Sequence, residues 1–227
     1  MHIVVIVLAL FALIVGPGLW VKAVMRRYQQ PANRYPKTGS QVARELLDAA
    51  ALRNVRIEPT ESGDHYDPTA KAVRLSADNF NGRSLTAIAV AAHEVGHALQ
   101  DARGFRPLKW RTRLVQWVQP IEKVGAAMLM VSPFTAVATQ SRVLGVLAFV
   151  AGFLTLGSGV VVHLLTLPTE LDASFVRALP LIERRGLLLT EDKPRARKLL
   201  TAAALTYVSA ALQSLLNIAR WWSILRR

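Results

Sequence analysis

A single formal charge, Arg142, stands between Lys123 and Glu170. Stretches this poor in charge must be shielded from water by protein or by lipid. Arg142 divides the run into Val124–Ser141 and Val143–Thr169, about 18 and 27 residues long, each near or above the length that crosses a bilayer. Two helices turning at Gln140-Ser141-Arg142 are predicted, with Pro133 interrupting the first. A third uncharged run, Ile3 to Val21, is followed at once by Lys22, Arg26 and Arg27. A cleaved signal peptide carries its positive charge before the apolar run, so this order predicts a retained N-terminal anchor. Lys109, Arg111 and Arg113 flank the hairpin on the same side as the positive end of the anchor. The positive-inside rule then places the N-terminus outside and the polar parts in the cytoplasm. The expectation is a multi-pass protein of the plasma membrane.

The chain has 227 residues, room for one modest domain beside such segments, and 52% of them are hydrophobic. It contains no cysteine, so a zinc ion could be held only by His, Asp or Glu. A net charge of +13 raises the question of nucleic acid. The basic residues, however, are spread out and gather beside the apolar runs, which suits an anionic membrane surface better. No nucleic-acid partner is expected.

Chemistry is concentrated in Ala91-Ala92-His93-Glu94-Val95-Gly96-His97-Ala98-Leu99. Two histidines four apart on a helix lie one turn apart on one face and can reach one metal ion. Zinc suits imidazole nitrogen, and an open coordination position leaves room for a water whose pKa the metal lowers. Glu94 is then placed to take that water's proton and pass it to a leaving amine. From composition, HExxH is expected by chance about 0.004 times in such a chain. Its surroundings are also small or apolar, and burying three polar groups there without partners would cost several kcal/mol.

Around this helix the pattern is modest. Thr38 or Ser40 can cap a helix running to about Leu52, with Val42, Leu46, Leu47 and Ala50 on one face. Val55–Glu58 and Ala72–Leu75 alternate as strands, and residues 61–68 supply turn residues between them, so a small antiparallel hairpin is predicted. Such an edge can bind an extended peptide or can be purely structural. Ser84 is a suitable N-cap for the HExxH helix and Gly104 lies just past its end. His65 and Tyr66 are candidate donors to the oxyanion of a tetrahedral intermediate, or only shape the turn. Tyr207 is a weaker candidate, and His163 suits a histidine reaching the membrane interface. Residues 201–223 are apolar, with Thr206, Ser209, Gln213, Asn217 and Arg220 forming a polar stripe. That stripe fits a helix packed on the catalytic domain or lying on the membrane.

Together, Gly82-Arg83-Ser84 before His93–Gln100, the segment Asp64–Pro68, Leu167–Ser174 and Ala202–Val208 resemble the bacterial membrane-bound neutral zinc metallopeptidases of the YugP type, which are distantly similar to the HtpX and CaaX-prenyl endopeptidases. The resemblance runs over nearly the whole chain. It implies zinc ligands at His93, His97 and Glu170, with Glu94 as general base. Glu122 remains a rival third ligand by its spacing after His97. The wider group carries an aspartate four residues after the ligand glutamate, where this chain has Ser174. A hydroxyl is a weaker partner for a zinc histidine than a carboxylate, which brings Asp172 or Asp101 into consideration.

The expected fold is a mainly α membrane protein with a zincin-like catalytic region. Residues 1–27 form the anchor, 28–113 the cytoplasmic region with the HExxH helix, 114–169 the transmembrane hairpin, and 170–227 the third-ligand and C-terminal helical region. The expected function is zinc-dependent peptide hydrolysis, with one Zn2+ per chain, a peptide or membrane-protein substrate and the lipid bilayer as partner. The alternative is a non-catalytic scaffold or adaptor in which zinc only ties segments together.

Overall fold

A computed structural model of the chain describes residues 2–206, 208, 209 and 212. The protein is mainly helical with one small mixed sheet, and it forms two compact units. One comprises Leu19–Lys109 and Leu167–Thr206, and the other Met1–Gly18, Trp110–Thr166 and Tyr207–Arg227.

The first unit carries the site. After α1 (His2–Arg27), helix α2 (Gly39–Ala49) is capped by Thr38, whose hydroxyl accepts from the Gln41 amide at 3.2 Å. The Gln41 side chain accepts in return from the Thr38 amide at 2.9 Å, so two otherwise orphaned donors are satisfied reciprocally. Val42, Ala43, Leu46 and Leu47 bury the inner face. Thr38 is thus the cap of the two candidates.

The sheet departs from the predicted hairpin. Its strands are β1 (Arg56–Thr60), β2 (His65–Asp67) and β3 (Ala72–Ser76), in the order β1-β3-β2. β1 runs parallel to β3, and the antiparallel partner of β3 is β2, a strand inside the supposed turn. Two local features explain this. Tyr66 buries its ring between the half-buried His65 and Asp67, a period of two even in so short a segment. Asp67 then accepts from the amides of Thr69 and Ala70, at 2.8 and 3.0 Å, and folds the reversal just before β3. Those amides, with Arg74, hold the Asp67 carboxyl below its usual range against the opposing effect of burial. With one edge of β3 already taken, β1 pairs on the other.

A one-turn helix, α3 (Ala77–Phe80), leads to α4 (Leu85–Ala102). Ser84 caps α4 by accepting from the Ala87 amide at 3.1 Å, and Gly104 follows with φ +64°, the left-handed geometry that glycine meets without a Cβ clash. Every residue from Leu85 to Ala98 is buried. This helix is the core of the unit, packed by α2, α3, β2, β3 and the segments after residue 171. Those segments are a π-helical stretch (Asp172–Ala178) continuing from α6 (Arg142–Leu171), then α7 (Leu179–Arg184) and α8 (Lys193–Ala204). Asp192, wholly buried before α8, accepts from Tyr35 at 2.6 Å, from Arg195 at 2.8 Å and from Arg34, bracing the chain after α1. Burial pushes its carboxyl pKa up, and these donors outweigh that and leave it below the usual range.

In the second unit, α5 (Arg106–Ala138) and α6 turn back on each other at residues 139–141, where the sequence predicts it. Their backbones approach closely. A Cβ on Gly125 would stand 1.5 Å from the Thr155 hydroxyl, and one on Gly152 would stand 2.8 Å from the Gly125 carbonyl oxygen. Outward, Trp117, Phe134, Val137, Val143, Val146 and Leu154 are all more than half exposed. Among the described residues no helix is long and apolar enough to cross a membrane. The spanning anchor and transmembrane hairpin expected above therefore find no support in the helices as described. Many side chains of those runs, at 3–11 and 156–161 among others, lie outside the described residues, as does nearly all of the predicted polar stripe beyond Ser209.

Candidate metal centre

His93 and His97 leave α4 one turn apart, with ring centroids separated by 4.8 Å and planes at 80°. Opposite them is Glu170, the penultimate residue of α6, with its side chain almost wholly buried. One carboxylate oxygen, Oε2, lies 3.2 Å from His93 Nε2 and 3.2 Å from His97 Nε2. The structure thus gathers three residues that the sequence separates by more than seventy positions, and as a group they could hold a metal ion.

The outer nitrogens decide what the inner ones can do. Ser174 donates its hydroxyl proton to the Leu200 carbonyl (3.1 Å), which can only accept. Its oxygen is thereby left to accept from His93 Nδ1 at 3.0 Å. Gln100 donates through Nε2 to the Thr169 carbonyl (2.8 Å) and to Asp172 (2.7 Å), so its oxygen faces His97 Nδ1 at 2.9 Å. Both imidazoles therefore carry their proton on Nδ1 when neutral and turn the Nε2 lone pair inward. Two lone pairs and a carboxylate oxygen converging in this way make a pocket of negative potential that suits a cation. Zinc ligands at ~2.0–2.1 Å in tetrahedral array sit roughly 3.3 Å apart. That is close to the 3.2 Å from the Glu170 oxygen to each imidazole. With all three ligand atoms within 4.8 Å of one another, the donor set fits a zinc ion.

Gly96 makes the approach possible. A Cβ on it would stand 2.6 Å from the Ala173 carbonyl oxygen, between Glu170 and Ser174 in the opposing backbone. Such a contact displaces backbone, because both partners are helical. Gly96→Ala is expected to cost about 1–3 kcal/mol of stability and to push Glu170 and Ser174 away from the histidines. A lowered Tm together with weakened zinc binding checks this, and an unchanged zinc affinity would contradict it.

A family described as "putative neutral zinc metallopeptidase" matches residues 2–226. The chain belongs to this family. Over 213 residues, covering 91% of this chain and 90% of the relative, it is 35% identical to a Bacillus subtilis (strain 168) protein named "putative membrane protease YugP". No solved structure matches it.

Glu94 is buried on α4 directly after His93. Among the remaining candidates, those described have hydrogen-bond partners of their own. The Tyr66 hydroxyl donates to Asp101 at 2.7 Å, and burial pushes its pKa well up, with the Asp101 carboxylate adding to the effect. His65 Nδ1 donates to the Gly63 carbonyl oxygen at 2.9 Å. Asp101 is engaged by Tyr66 and Lys71 and does not orient His93 or His97. Ser174 does so itself for His93, while Asp172 acts at one remove through Gln100. Tyr207 and the side chains of Glu122 and His163 lie outside the described residues. Gln100 escapes the sequence reading, although a polar residue three positions after His97 on a buried helix is a signal that could have found it.

Proposed function

We propose that the protein is a gluzincin-like zinc metalloendopeptidase, holding one zinc per chain through His93, His97 and Glu170. The observation that carries this reading is the inward convergence of two imidazole lone pairs on the Glu170 oxygen. Three protein ligands, rather than the four that close a structural site, favour catalysis over a scaffold role. Zinc bound there supplies Lewis acidity, which polarises a peptide carbonyl and makes water a better nucleophile near neutral pH. Glu94, adjacent to a ligand on the same helix, takes the proton from the attacking water and delivers it to the departing amine nitrogen. Burial of the site limits bulk water around that proton transfer. Oxyanion assistance from His65 or Tyr66 is not needed by this reading, since both side chains already have hydrogen-bond partners.

The reading also places the protein at a membrane. Support comes from the exposed apolar side chains of the α5–α6 hairpin, too many for a water-facing surface, and from the description of the Bacillus relative as a membrane protease. The basic residues Lys109, Arg111 and Arg113 beside the hairpin favour a site on the cytoplasmic side, with membrane-proximal polypeptides as substrates. Metal analysis and chelation test the enzymatic core. Purified protein is expected to carry about one zinc per chain. A chelator should abolish cleavage of an unstructured peptide, and added zinc should restore it. Cleavage indifferent to the chelator would overturn the proposal.

A further inference from the structure

We propose that Gln100 is the positioning residue that joins the two halves of the metal centre: one amide fixes the tautomer of His97 and anchors the backbone that presents Glu170. This rests on the zinc-site reading above and goes beyond it. The side chain is wholly buried, three residues after His97 on α4. Its oxygen accepts from His97 Nδ1 at 2.9 Å, and its nitrogen donates to the Thr169 carbonyl at 2.8 Å and the Asp172 carboxylate at 2.7 Å. Thr169 and Asp172 flank Glu170 in the chain. The group that turns His97 therefore also grips the chain on either side of the third ligand.

The amide is suited to both tasks because its two ends differ. A carboxylate in its place could accept from His97 but would present oxygen to two acceptors. An apolar residue could do neither. Asp172 is itself oriented by Arg177, which pairs with it at 2.5 Å and lies 5.2 Å from the centre of the Phe105 ring. The chain of contacts runs from an aromatic face through an ion pair and an amide to the metal-facing imidazole. Each link leaves the next with one favoured orientation. The site is consequently pre-arranged before metal arrives, with the His97 Nε2 lone pair already directed inward.

Two measurements test this. The first uses the metal-free wild-type chain at alkaline pH, where imidazoles are neutral, and reads the nitrogen chemical shifts of His97. The Nδ1-protonated tautomer is expected. The Nε2-protonated form, or averaging between the two, overturns the inference even if the protein binds zinc well. The second compares zinc affinities by competition with a chelator of known strength. Gln100→Ala and Gln100→Glu are each expected to weaken zinc by about 10–100-fold, the usual effect of removing a partner behind a metal ligand. Adding Asp172→Asn to Gln100→Glu puts a donor back at that contact and should recover much of the loss, whereas Asp172→Asn alone should not strengthen binding. A purely structural role for Gln100 predicts a fall in Tm with neither the tautomer nor this rescue. Unchanged affinity in Gln100→Ala, or absence of rescue in the pair, would sink the inference. A wild-type chain that takes up no zinc defeats the zinc-site reading instead, while the tautomer measurement still decides the role of Gln100.

Discussion

Glu94→Gln is expected to yield a protein that keeps its zinc and loses hydrolysis by about 10²–10⁴-fold. The amide has nearly the shape of the carboxylate and belongs to none of the three inward-facing ligands, so binding of the ion should survive. What disappears is a base beside the reacting water and the acid that returns its proton to the amine. The comparison separates the enzyme from the scaffold, since a scaffold that needs only the ion would lose nothing in this variant. The measurement is paired metal analysis and peptide turnover on one preparation. Turnover close to wild type would reassign the proton transfer to another group. Loss of both zinc and turnover would instead mean that Glu94 helps to build the site.

Glu170→Ala should act on the ion itself. Total binding free energy at structural zinc sites is ~10–16 kcal/mol shared among four ligands, so one ligand is worth about 3 kcal/mol, or roughly 10²-fold in affinity. The true loss should be at least that, because the carboxylate also neutralises charge in a buried pocket where no solvent compensates. Competition with a chelator reads the affinity directly. Undiminished zinc occupancy would remove Glu170 from the centre and reopen the question for Glu122.

Much of the site was legible because its chemistry is dense in sequence. His93, Glu94 and His97 sit within five residues of one helix, the two histidines on one face, and Ser84 and Gly104 mark where that helix starts and stops. The turn between α5 and α6 was legible for a similar reason, since Arg142, beside Gln140-Ser141, is the only formal charge in a long apolar run. Glu170 was reachable through the family resemblance rather than through any local pattern, since none ties it to a helix so far upstream. The sheet was misjudged because three residues of β2 give too short an alternation to stand out among turn formers, and because strand pairing is a property of the whole fold. Gln100 and Gly96 were given no role for another reason. Their importance lies in what faces them, Asp172 and Thr169 in one case and the Ala173 carbonyl in the other, and all of that is supplied by the far segment. The spanning of a membrane, inferred from charge-poor runs alone, is the expectation with the least structural support, since no described helix meets the requirement.

Glu170 follows His97 by 73 positions. In the proposed centre, then, no chain still being synthesised can own the complete ligand set until Glu170 has been made. A fragment that ends between His97 and Glu170 holds the two imidazoles without that carboxylate. The proposed proteolytic activity would thus arise only after the α5–α6 hairpin has been produced.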